Sequence, residues 1–95
     1  MEAEKKPVEV QVTFHEHLKG GVYSNNMVVT HTREEFVLDF LMVSPPAGTV
    51  TARVILSPGH ARRVAAALAE NVRKYEAAFG AIPANEEPQG RIGFN

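Results

Sequence analysis

His15-Glu16-His17 is the arrangement in this chain with the spacing of a metal site. Alternate residues of a strand share a face, so the two imidazoles would point the same way. With a carboxylate from elsewhere they could hold zinc or nickel. The segment runs into Gly20-Gly21, and nothing in the pattern brings His31 or His60 toward it. The pair therefore reads as solvated polar residues at a strand end, and no metal is assigned.

Arg62, Arg63, Arg73 and Lys74 form a second group. Helix positions eleven apart return to within about 20° of each other. Arg62 thus stacks over Arg73 and Arg63 over Lys74, as two rows opposite an apolar stripe through Leu68. A ridge of this kind suits a phosphate backbone or an acidic partner, while Glu70 between the rows can pair with Arg73 and Lys74. Tyr23-Ser24-Asn25-Asn26 is the third group. Adjacent asparagines suit a strand poorly, so they mark a bulge, side chains bonded to a neighbouring backbone, or a recognition edge. Tyr23, Asn25 and Asn26 are the candidate polar contacts.

The chemistry that is missing narrows the field. There is no cysteine among the 95 residues, which removes disulfides, thiolate catalysis and cysteine-ligated metals. Neither a Gly-x-Ser-x-Gly elbow nor a phosphate-cradling glycine pattern occurs. No catalytic residue and no cofactor is assigned, and a protein that is not an enzyme is expected. A net charge of −1 gives no general pull toward nucleic acid or acidic membranes. No apolar run approaches the roughly 18–20 residues of a membrane span. The charged start, residues 1–7, leads into alternating residues instead of a signal-peptide core, so a cytoplasmic location is expected.

These residues need elements to position them. Val8, Val10, Val12 and Phe14 alternate with Glu9, Gln11, Thr13 and His15, the pattern of a half-buried strand. A second strand is expected over 22–30, with Tyr23, Met27 and Val29 on one face. The central strand, 35–43, is apolar on both sides: Phe36, Leu38, Phe40 and Met42 on one, Val37, Leu41 and Val43 with Asp39 on the other. After the Ser44-Pro45-Pro46-Ala47-Gly48 turn a fourth strand covers 50–56. If that turn centres on Pro46, Asp39 faces Arg53, Val37 faces Ile55 and Leu41 faces Thr51. A long helix follows. Ser57 is its N-cap and Pro58 its first residue; Ala61, Val64, Leu68, Val72, Tyr75 and Phe79 form its apolar stripe; Gly80 and Pro83 end it.

The expected fold is α+β, a four-stranded, mainly antiparallel sheet followed by one C-terminal helix. It forms a single domain over 8–82, between a flexible N-terminus (1–7) and a flexible tail (83–95). A four-stranded sheet is about 19 Å wide and a helix about 10 Å across, so one helix covers about half of one face. Met27, Val29, Val37, Asp39, Leu41, Arg53 and Ile55 are left to an oligomer interface, in a homodimer or tetramer.

Tyr23-Ser24-Asn25, Glu35-Phe36-Val37-Leu38-Asp39-Phe40, Arg53-Val54-Ile55-Leu56-Ser57-Pro58, Leu68-Ala69-Glu70-Asn71 and Tyr75-Glu76-Ala77-Ala78-Phe79-Gly80 together resemble a small prokaryotic family of unknown function. Its pattern is Tyr-x-Asn, Glu-Phe-x-Leu-Asp-Phe, Arg-Val-x-x-Ser-Pro and Tyr-Glu-x-x-Phe-Gly, and the resemblance spans residues 22–82. It implies no reaction, cofactor or catalytic residue. A looser similarity of topology, four strands before a helix, is to SecB-type export chaperones, which assemble as dimers of dimers. The leading expectation is a non-enzymatic, homo-oligomeric protein-interaction module, in a chaperone-like variant holding client segments on an apolar groove. Nucleic-acid binding through Arg62, Arg63, Arg73 and Lys74 is the alternative, and a metal-dependent enzyme the third reading.

Overall fold

The doubly apolar run at the centre of the sequence becomes the middle strand of a three-stranded antiparallel sheet. The structure, a computed structural model, describes residues 7–83 and 91–94. Strands β1 (Asn26–His31), β2 (Phe36–Ser44) and β3 (Ala47–Leu56) lie side by side in chain order, and helix α1 (Pro58–Phe79) follows. The fold is α+β, as expected, with three paired strands instead of four.

Local chemistry sets each connection. Between β1 and β2 the Thr32 hydroxyl accepts the backbone N–H groups of Glu34 and Glu35, each at 3.2 Å, and the Thr32 N–H donates to the Glu35 carbonyl at 2.9 Å. Between β2 and β3 the chain turns on Pro45-Pro46, joined by a cis bond, with Ser44 opposite Ala47. The expected partners Asp39–Arg53 and Val37–Ile55 are found, but Leu41 faces Val50 and not Thr51. The tight turn sets a register one residue away from that of the far half of the hairpin, and a bulge between Phe40 and Leu41 makes up the difference. Thr51, the extra residue, donates its hydroxyl to the Phe40 carbonyl at 3.1 Å.

The expected first strand is corrected. Residues 8–15 join no ladder, and Glu16–Leu18 forms a single 3-10 turn closed by Leu18 N–H to His15 C=O at 3.0 Å. Alternation gives a segment the preference for a strand, but only an edge supplies its hydrogen bonds. The turn, followed by Gly21 at φ 69°, leads the chain off the line that would bring this segment alongside β1. β1 also starts later than expected, at Asn26, because side chains from Ser24 and Asn25 take up β2's backbone groups.

Helix α1 has the expected bounds. The Ser57 hydroxyl accepts the His60 N–H at 3.2 Å, and Gly80, at φ 95°, donates its N–H to the Glu76 carbonyl at 2.9 Å. The Glu76 carboxylate then accepts the Ile82 N–H at 2.9 Å, tying down the chain beyond the helix. Most of residues 1–7 and 83–95, expected as flexible ends, lie outside the described residues.

The core is small. Among the described residues the buried apolar side chains are Leu41 and Leu56, and no residue of α1 is buried. The radius of gyration is 17.8 Å, against about 12 Å for a compact chain of this length.

Candidate interaction surface

Cross-strand partners share a face, so the register sorts the sheet. Met27, Val29, Phe36, Leu38, Val54 and Leu56 lie on one face, and Val28, Val37, Asp39, Leu41, Arg53 and Ile55 on the other. The seven residues expected on one assembly face are therefore divided. Met27 and Val29 belong to the first face because they oppose Phe40 and Leu38. Two of the others are closed off within the chain: Leu41 and Asp39 are each 4% exposed. Ile55 remains exposed.

Asp39 is a buried carboxylate on a short sheet, and Arg53 satisfies it. Arg53 Nε donates to Oδ1 at 2.6 Å and Nη2 to Oδ2 at 2.9 Å, a two-pronged pair across β2 and β3. The hydrogen bonds and charge of Arg53 hold the Asp39 carboxyl below its usual range, against the opposite pull of burial. The guanidinium is raised in turn. The outer side of Arg53 stays open to solvent, so the pair presents a guanidinium on this second face.

Asn25 plays the part of a peptide unit. Its carboxamide oxygen accepts the Val43 N–H at 2.8 Å and its nitrogen donates to the Val43 carbonyl at 2.9 Å. Ser24 Oγ reaches the Leu41 carbonyl at 2.9 Å and the Asn26 carbonyl at 2.8 Å. Asn25 thus engages the chain's own backbone, while Tyr23 is exposed and Asn26 bonds its neighbour's N–H.

The first face opens onto a hollow. α1 leans over it from the end of β3 without closing on it, leaving a space of about 350 Å³. Its walls are Met27, Val29, Phe36, Leu38 and Leu56 below and Ala61, Val64, Ala65 and Leu68 above. Periodicity placed the helix stripe, but the opposing wall was missed, since it depends on which face of β2 meets β1. Beyond the hollow the stripe continues unpartnered through Val72, Tyr75 and Phe79; the last two rings lie 5.0 Å apart, and Phe79 is 76% exposed.

The remaining candidates are scattered. Arg62 borders the hollow instead of standing opposite the stripe. It lies about 120° round the helix from Leu68, so its aliphatic stem flanks the apolar side. Lys74 pairs with Glu70 at 3.6 Å. His15 and His17 lie at a 3-10 turn, not in a strand, with ring centres 6.0 Å apart. Among the described residues no three His, Cys, Asp or Glu side chains converge as metal ligands. Among the same residues no helix is long and apolar enough to cross a membrane.

An antiparallel β-meander carrying an uncovered amphipathic helix is what the geometry defines: a small α+β protein with more apolar surface than core. The family described as "protein of unknown function (DUF3467)" matches residues 1–84, and the chain belongs to that family. Neither a curated protein nor a solved structure matches it.

Proposed function

We propose that this chain is a non-enzymatic protein-interaction module that works as a homo-oligomer. The observation that carries this reading is its exposed area. A folded monomer of 10.4 kDa exposes about 5,400 Å², whereas this chain exposes 8928 Å². Setting aside for the fourteen undescribed residues the whole area of an extended chain, about 160 Å² each, still leaves an excess on the order of 1,300 Å². A stable interface takes about 800 Å² from each partner. The excess is apolar where it matters: the helix stripe, the hollow and Ile55 are all open. A 22-residue helix with none of its side chains buried has little reason to stay on its own sheet.

Light scattering across a dilution series tests this. The wild type is expected at dimer mass or above, and Leu68→Glu with Val72→Glu at monomer mass with the same helix content. These two residues are exposed in the single chain, so their replacement spares its own fold. A wild type that is monomeric at every concentration overturns the reading.

The chaperone-like variant has one observation in its favour, the open hollow. It holds if an apolar dye still binds the oligomer and a hydrophobic peptide displaces it.

A further inference from the structure

We propose that residues 8–14 of each chain form the missing edge strand on β1 of a second copy, so that two copies exchange their N-terminal arms. The proposal rests on the self-association above and names the contact that produces it.

The arm is a strand without a sheet. Val8, Val10, Val12 and Phe14 recur at every second position, yet Val8 is 86% and Val12 84% exposed and the segment joins no ladder. β1 is an edge without a strand: β2 lies on one side of it and no described strand on the other. The two match in length, seven residues against six, or about 23 and 20 Å. Antiparallel pairing that sets Val12 against Met27 and Val10 against Val29 brings the arm's apolar side to the rim of the hollow. There it would cover two side chains that are now 42% and 46% exposed.

Connectivity favours exchange over a foreign strand. The arm precedes β1 in the chain, so β1's free edge is the position it would occupy in a four-stranded meander of its own. The link over residues 16–25 holds a 3-10 turn and Gly20-Gly21 and, with that turn kept, can span up to about 29 Å. Each copy thus carries one donor strand and one acceptor edge, which is the self-complementarity a two-fold dimer requires. The cover must also be present whenever the chain folds, because two buried apolar side chains make too small a core. A second copy is always made alongside the first.

The chain has no cysteine, so an introduced thiol reports without background. A tagged Val12→Cys chain and an untagged Met27→Cys chain are refolded together and treated with a bis-maleimide of about 8 Å reach, which spans diagonal neighbours too. A covalent heterodimer is the expected product. In parallel, Val10→Asp with Val12→Asp is expected to raise the concentration at which the wild-type dimer dissociates at least tenfold. Cross-linking only within a monomeric Val12→Cys/Met27→Cys chain would show that the arm closes on its own sheet and would overturn exchange. A wild-type dimer without the heterodimeric cross-link, its dissociation unmoved by the arm variant, overturns exchange while leaving self-association standing. A wild-type monomer overturns both.

Discussion

Asp39 and Arg53 show what a single charged pair does in a sheet this small. The carboxylate is buried and its folded pKa lies below the ordinary value. It therefore contributes stability that is complete above the usual carboxylate range and is lost as pH falls through the lowered folded value. The urea midpoint of the wild type is expected to fall on acidification in that window, and that of Asp39→Asn to vary less there. Removing Arg53 leaves the buried carboxylate uncompensated, so Arg53→Leu is expected to destabilise, and Asp39→Leu, which leaves an arginine already open to solvent, to cost less. The double variant is expected to recover much of the loss, and a double-mutant cycle in urea reads it. Asn25→Ala removes both bonds to Val43 and is expected to lower stability by about 1–3 kcal/mol. Asn25→Asp keeps the acceptor but sets a carboxylate against the Val43 carbonyl, and its urea midpoint is expected to lie no higher than that of Asn25→Ala.

The elements differ in how much each one's sequence settles. The helix is legible residue by residue: Ser57, Pro58 and Gly80 fix its ends through local hydrogen bonds and backbone freedom, independent of any tertiary contact. Ser57→Ala is expected to lower stability by about 1 kcal/mol. Gly80→Ala, at φ 95° and ψ 171°, a region open essentially to glycine alone, is expected to lose about 1–3 kcal/mol. Thermal unfolding followed by circular dichroism measures both. The sequence centres the β2–β3 turn on Pro46, and the far half of the hairpin, Asp39 with Arg53, comes out in that register only because the bulge restores what the tighter turn shifts. Its near half was not legible, because the bulge at Phe40/Leu41 follows from a mismatch between the turn and the strands. The first expected strand shows the other limit. Its alternation is real, but pairing depends on an edge coming within reach.

At the scale of the whole molecule the balance is between surface and core. A sheet of three strands is about 14 Å wide, and α1 closes against it only near β3. Most of the apolar surface legible in the sequence therefore stays open. Among the described residues, the candidate sites read from spacing (the His15/His17 pair, the four helix cations, the Tyr23-to-Asn26 segment) do not assemble into one place. The hollow and the bare helix stripe do. Salt sensitivity separates the remaining alternative: a nucleic-acid binder would lose affinity steeply between low and high ionic strength, and more so with Arg62→Glu and Arg73→Glu. An interaction module held by apolar burial is expected to keep its mass across the same range, which light scattering in a salt series measures.

The sequence by itself determined what is local: the helix and its caps, the doubly apolar central strand and the absence of cysteine chemistry. Short-range hydrogen bonding and side-chain period carry these, and both are written in consecutive residues. Only the tertiary structure decided that the sheet has three strands, that Met27 and Val29 look toward the helix while Ile55 looks away, and that Leu41 is covered. Those outcomes depend on register, a bulge and the reach of one edge to another, which are relations between segments far apart in the chain.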